Sequence, residues 1–195
     1  MTLKQTFHNI KSDYLFYAKI WKVKLDFVRL LFLLTNPSHV TITFYRIYRF
    51  IYLNRLRPLA WFLYQVNLYL TGADILPTAD IGEAFYIGHC EGVIISGKIG
   101  SGVILLGQAA IGGGFWEGDI GGGPGLPVIG NNVLIGFRAV ILGLVTIGDN
   151  ANIGALTYVT KSVPENMTAI GNPCRILQGK RPQAFEERVL ANEIS

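Results

Sequence analysis

Branched aliphatic residues recur every six positions through the second half of the chain. Ile75, Ile81, Ile87, Val93, Ile99, Leu105 and Ile111 hold the interval, which resumes at Ile129, Ile135, Ile141, Ile147, Ile153 and Val159. Only Glu117 and Gly123 break the fifteen slots, and glycine directly follows the aliphatic at eight of them. A period of six matches neither the 3.6 of a helix nor the 2 of a strand. It predicts a solenoid of short flat sides, each turning one aliphatic inward, with Gly, Asn and Asp at corners that need positive φ. Three sides close a coil of about 18 residues, and five coils stack into a prism roughly 24 Å tall at the spacing of paired strands. Gly112 to Val128 is too rich in glycine for regular sides and is predicted to be an extruded loop, a length that usually carries a function. Open ends and flat faces predict self-association.

The first 70 residues follow a different rule. Asp13 to Leu34 and Thr41 to Leu70 are rich in Leu, Phe, Tyr, Lys and Arg and predict helices, with Asn36-Pro37-Ser38 as the break and Pro58 kinking or dividing the second. Apolar positions exceed one narrow stripe, so these helices are expected to bury more than one face against the prism or a sister chain. A membrane-surface reading rests on Tyr45 to Arg57, where cations alternate with aromatics, and implies peripheral contact with an anionic inner face. No nucleic-acid motif accompanies the basic charge.

Composition sharpens the division. All 23 glycines lie at or after Gly72. Residues 1–70 carry ten Lys/Arg and two acids, net +8, whereas residues 71–171 carry three and eight, net −5. The expected organisation is a helical segment over 1–70, a β-solenoid domain over 71–177 containing the extruded loop 112–128, and a tail over 178–195 that forms a short helix. Half the residues are apolar and 15% are charged, which excludes a disordered chain. Cys90 and Cys174 are too few for a disulfide framework, no Cys/His cluster predicts a metal, and no signal-peptide core or spanning segment is evident, so a reducing, cytoplasmic location is expected.

Four stretches narrow the chemistry: Asp74-Ile75-Leu76-Pro77-Thr78-Ala79-Asp80-Ile81-Gly82; Ile87-Gly88-His89-Cys90-Glu91-Gly92-Val93; Ile135-Gly136-Phe137-Arg138-Ala139-Val140-Ile141-Leu142-Gly143; and Ala169-Ile170-Gly171-Asn172-Pro173-Cys174-Arg175-Ile176. With the Asn36-Pro37 break and Phe44-Tyr45-Arg46, they resemble the hexapeptide-repeat acyltransferases, in particular the serine acetyltransferases and their exopolysaccharide and capsule O-acetyltransferase relatives, over about residues 35–180. The resemblance implies a left-handed parallel β-helix and a homotrimer that transfers acetyl from acetyl-CoA without a metal. It assigns His89 as general base and Asp74 as its partner carboxylate, the tautomer-setting arrangement that such an imidazole needs. Their separation of 15 residues places them on adjacent coils. For the CoA it implies Gly112 and Gly113 at the loop mouth, Phe137, Ala155, and the cations Lys161 and Arg175. Cys90 as a covalent nucleophile is the lesser reading, because relatives transfer directly. A zinc enzyme of carbonic-anhydrase type would need three histidines, and the solenoid has His89 alone.

Departures from the resembled pattern bear on the acceptor. Gly88 stands where serine acetyltransferases carry Asp, and Gly125-Leu126-Pro127 stands where they carry Arg-His-Pro. A serine carboxylate thereby loses its matching cation. Phe115 and Trp116 on the longer loop suit stacking, and Glu91 follows the catalytic histidine. These residues predict an O-acetyltransferase acting on a hydroxyl of a saccharide or glycoconjugate in polysaccharide biosynthesis. Serine O-acetyltransferase of cysteine biosynthesis is the alternative, and a non-catalytic scaffold the second.

Overall fold

The computed structural model describes residues 1–113 and 122–179. Four helices come first, α1 (Leu3–Trp21), α2 (Phe27–Thr35), α3 (Pro37–Leu53) and α4 (Arg57–Thr71). Each expected helix is divided in two. Lys22 adopts the left-handed conformation and its N–H bonds back to Ala18 and Lys19, ending α1; the Asp26 carboxylate then accepts from the Arg29 N–H and starts α2. The second expected helix parts ahead of Pro58, which sits in the first turn of α4, where a missing N–H costs nothing. Asn36 accepts from the Ser38 N–H with Pro37 in the first turn, so the expected break starts α3.

The rest is a left-handed parallel β-helix. One face stacks β1 (Asp74–Ile75), β4 (Ile94–Ile95), β7 (Ala110–Gly112), β10 (Val140–Leu142) and β13 (Tyr158–Val159). The second stacks β2 (Asp80–Ile81), β5 (Lys98–Ile99), β8 (Val128–Ile129) and β11 (Thr146–Ile147). The third stacks β3 (Tyr86–Ile87), β6 (Ile104–Leu105), β9 (Leu134–Ile135), β12 (Asn152–Ile153) and β14 (Met167–Ile170), and ends on β15 (Arg175–Gln178), which runs antiparallel to β14. β15 thus closes the expected solenoid domain, and the C-terminal helix expected in the tail lies outside the described residues.

Twelve of the thirteen predicted aliphatics are the inward residue of their strand. The exception is Val93: Ile95 pairs with Ile75 and Ile111, so the corner after β3 holds two additional residues and the following side is shorter by two. Val93 and Ile95 are both fully buried, which is why the period runs through the slip unbroken. The slip falls at the corner that carries His89. Ile99 pairs with Ile129, 30 positions on, where most neighbouring coils are 18 apart, and the expected extruded loop 112–128 falls within this insertion, with 114–121 outside the described residues.

Helices and prism share one core, in which Ile42, Tyr45, Tyr48, Ala60 and Tyr64 pack on the first coils. The cation–aromatic segment therefore turns inward: Tyr45, Arg46 and Tyr48 are at most 1% exposed, which contradicts a lipid-facing strip there. The Tyr45 hydroxyl donates to the Ala79 carbonyl and Tyr48 to that of Ile75. The Arg46 guanidinium donates two bonds to the Asp13 carboxylate and two to the carbonyls of Ile81 and Gly82, while Asp13 also accepts from the Phe85 N–H. This network pins α1 and α3 to the first coil. No helix among the described residues is long and apolar enough to cross a membrane.

Candidate active site

The corner that joins β3 to β4 carries an exposed imidazole, His89. Strand register stacks His89, Gly107, Phe137 and Ala155 along one edge of the prism. Gly107 is what makes room: a Cβ there would lie 2.9 Å from His89 Cβ and 3.3 Å from Phe137 Cε2. Phe137 is 38% exposed, and the Arg138 guanidinium lies 5.2 Å from its ring centroid while donating to Gln108. The residues expected together at the CoA thus divide. Phe137 and Ala155 share the His89 edge, whereas Gly112, Gly113 and Lys161 lie along the edge after the first face, and Arg175 lies on β15 at the end of the third. Arg138 and Gln108 were not singled out from sequence, although their 30-residue offset, the same as that between Leu105 and Ile135, was there to be read.

Asp74 sits at the start of β1, its backbone bonded to Val93 in the histidine's corner. Its carboxylate accepts the Tyr64 hydroxyl at 2.7 Å, and no hydrogen bond or ion pair joins it to His89. Burial and the neighbouring carboxylate both raise the Tyr64 pKa, which keeps the phenol a donor. Cys90 is buried and donates to the Thr71 carbonyl, and burial pushes its thiol up. It is a packing residue, not an attacking thiolate. Phe115 and Trp116 lie outside the described residues. No cluster of three His, Cys, Asp or Glu gathers among the described residues.

A cavity of about 710 Å³ opens at His89, a ligand-sized volume. Glu91, Cys90 and Gly88 line it from the prism, and Trp21, Phe32, His39 and Tyr69 line it from the helices. Ser38 donates to the Gly88 carbonyl at 3.4 Å and Trp21 to the Tyr86 hydroxyl, so the helices form one wall of this cavity. Sequence gave no sign of that wall, because it is assembled from contacts between distant segments.

His39 is buried between Tyr14 and Tyr17, and burial lowers its pKa to about 4. Its neutral form is therefore the native one, and the unfolded chain takes up a proton that the folded chain refuses as pH drops below about 6.5. Stability attributable to this residue is expected to fall by roughly 3 kcal/mol between pH 7 and pH 4. Urea midpoints of the wild type and His39→Gln across that range measure it: the variant's acid slope should be shallower, and equal slopes would refute the assignment.

The bacterial transferase hexapeptide model (six repeats) matches residues 127–161. The chain is 32% identical over 154 residues to the serine acetyltransferase of Synechococcus elongatus, covering 74% of this chain and 59% of that protein. It is 31% identical over 152 residues to that of Helicobacter pylori, covering 76% and 86%. The crystal structure of Neisseria gonorrhoeae serine acetyltransferase in complex with serine superposes with a TM-score of 0.75 at 30% identity, covering 88% of this chain and 69% of that one. The chain spans about three fifths of the Synechococcus protein's length. These relatives overturn the expected saccharide or glycoconjugate acceptor: they are serine acetyltransferases, and the similarity runs through the histidine corner and the helices beside it, not through the repeat alone.

Proposed function

The chain belongs to the serine acetyltransferase family, and from that membership we propose that it transfers an acetyl group from acetyl-CoA to the hydroxyl of a serine-type acceptor. The observation that carries the reading is an exposed imidazole at the mouth of a ligand-sized cavity, on an edge whose next coils are cleared by Gly107 and lined by Phe137 and Ala155. His89 takes the hydroxyl proton as the oxygen attacks the thioester carbonyl. The tetrahedral adduct expels the CoA thiolate, which receives that proton from the imidazolium. Asp74 keeps the role of partner carboxylate on the family resemblance alone, since its carboxylate accepts from Tyr64 and makes no bond to His89. Glu91 faces the acceptor.

Acetyl-CoA lies between two edges of different chains. Phe137 and Ala155 come from one subunit, and Gly112, Gly113 and Lys161 from its neighbour, with Arg175 as a further cation for phosphate. That division of residues between edges favours a homotrimer, in which each interface joins one edge of each kind.

Release of CoA thiol from acetyl-CoA with L-serine or its carboxyl-masked derivatives, with the acetylated product weighed by mass spectrometry, tests the reaction; no release above the acceptor-free rate with any of them would refute it. Gly107→Ala adds a methyl group into the space between His89 and Phe137, against the His89 Cβ and backbone carbonyl. Displacing the base by a fraction of an ångström is expected to lower kcat/KM about tenfold or more, and the overpacking to cost about 1–3 kcal/mol of stability, leaving the variant folded. An unchanged kcat/KM would show that His89 does not need that space.

A further inference from the structure

The cavity at His89 combines one carboxylate with several aromatic side chains. None of the described residues of this chain that line it is Lys or Arg, and the carboxylate it does present, that of exposed Glu91, stands two residues from the imidazole. A ligand carboxylate entering there meets a like charge and no cation, which disfavours it. A ligand ammonium meets Glu91 as a partner.

The other walls are aromatic. Trp21 is 53% exposed, Phe32 57% and Tyr69 87%, and all three border the cavity from the helices. Tyr86, held by Trp21, continues that wall toward the histidine's corner. Free serine, with its handful of heavy atoms, fills a small part of about 710 Å³ and touches few of these rings. Broad apolar faces beside a polar reacting centre suit a ligand with a flat apolar body.

We propose that the preferred acceptor is a serine-type hydroxyl whose carboxyl group is masked as an amide or ester bearing a flat apolar group, with its free ammonium against Glu91 and the apolar group on Trp21, Phe32 and Tyr69. This rests on the acetyl-transfer reading above and names the acceptor class of the same site. The chemistry is unchanged: the serine oxygen gains the acetyl group, CoA leaves as the thiol, and His89 carries the proton between them.

Three acceptors separate the possibilities with the full chain and acetyl-CoA: L-serine, L-serinamide and L-serine 2-naphthylamide. The expected order of kcat/KM is naphthylamide, then serinamide, then serine, with at least a tenfold span from first to last. Glu91→Arg replaces the repelling charge with a matching one and is expected to raise kcat/KM for L-serine at least fivefold while lowering that for serinamide. A wild-type preference for L-serine over both masked forms would overturn the proposal and leave the serine reading intact. Failure of all three to be acetylated would overturn the serine reading and the proposal with it.

Discussion

Replacing His89 with alanine is expected to lower kcat for acetyl transfer by about a hundredfold to ten-thousandfold, the range that a positioned general base contributes. The hydroxyl of a serine-type acceptor is a poor nucleophile until its proton is withdrawn, and the cavity's other groups are unsuited to that task. Cys90 is buried with its thiol pushed up, His39 is enclosed by tyrosines, Glu91 is the carboxylate that faces the acceptor's ammonium, and Asp74, outside the cavity's lining, bonds to Tyr64. The side chain at 89 is exposed and projects from a corner whose backbone is tied to its neighbours by the bond from the Gly88 N–H to the Leu105 carbonyl. Its removal therefore takes away chemistry and leaves the coil in place. KM for acetyl-CoA should stay within about threefold, because the groups proposed to hold the donor are untouched. Steady-state kinetics alongside circular dichroism check this. A variant that retains more than about a tenth of wild-type kcat with native spectra would remove His89 from the role of base.

Asp13→Ala is expected to destabilise the fold by about 3–5 kcal/mol, because it strands a buried guanidinium. In the native chain Arg46 is 1% exposed and four of its five N–H groups go to protein acceptors, the Asp13 carboxylate and the carbonyls of Ile81 and Gly82. Burial drives the Asp13 carboxyl pKa upward while Arg46 and the Phe85 N–H draw it down, so the pair holds only while each partner is present. For a chain of this length the loss corresponds to a fall in Tm of about 6–20 °C. Asp13→Leu combined with Arg46→Met, which removes both charges, is expected to be less damaging than either single truncation. Urea unfolding measures all of these; a loss under about 1 kcal/mol for Asp13→Ala would mean that water reaches the guanidinium.

The prism was legible in the sequence because its physics is local and repeated. An inward aliphatic on each side and a tight corner after it leave a period that survives whatever lies outside the coil. The slip at Val93 and Ile95 escaped because both are aliphatic and both are buried, so either fits an inward slot. Lys22 ends α1 in a left-handed conformation that lysine does not advertise, and one predicted helix became two. The alternation of Tyr45, Arg46, Tyr48 and Arg49 fits a lipid-facing strip as well as a buried seam. What decides is distant: Asp13 on α1 and the carbonyls of the first coil accept from Arg46.

The candidate site was read in the same uneven way. His89, Phe137 and Ala155 lie on one edge because repeat positions fix their column. Asp74 matched its motif, yet its carboxylate bonds to Tyr64, ten residues earlier on α4, a pairing that spacing along the prism does not encode. The saccharide acceptor was inferred from residues missing at Gly88 and Leu126. Those losses remove partners for a carboxylate without pointing to a sugar, and kinship with serine acetyltransferases overrode the saccharide.

Rescue of His89→Gly by free imidazole tests the central claim most directly. With acetyl-CoA and the best serine-type acceptor present, the variant should release CoA slowly, and added imidazole should restore release at least tenfold in a saturable manner, because the small base fills the space left at the corner. An imidazole-independent rate close to that of the wild type would contradict the claim that the ring at position 89 moves the proton.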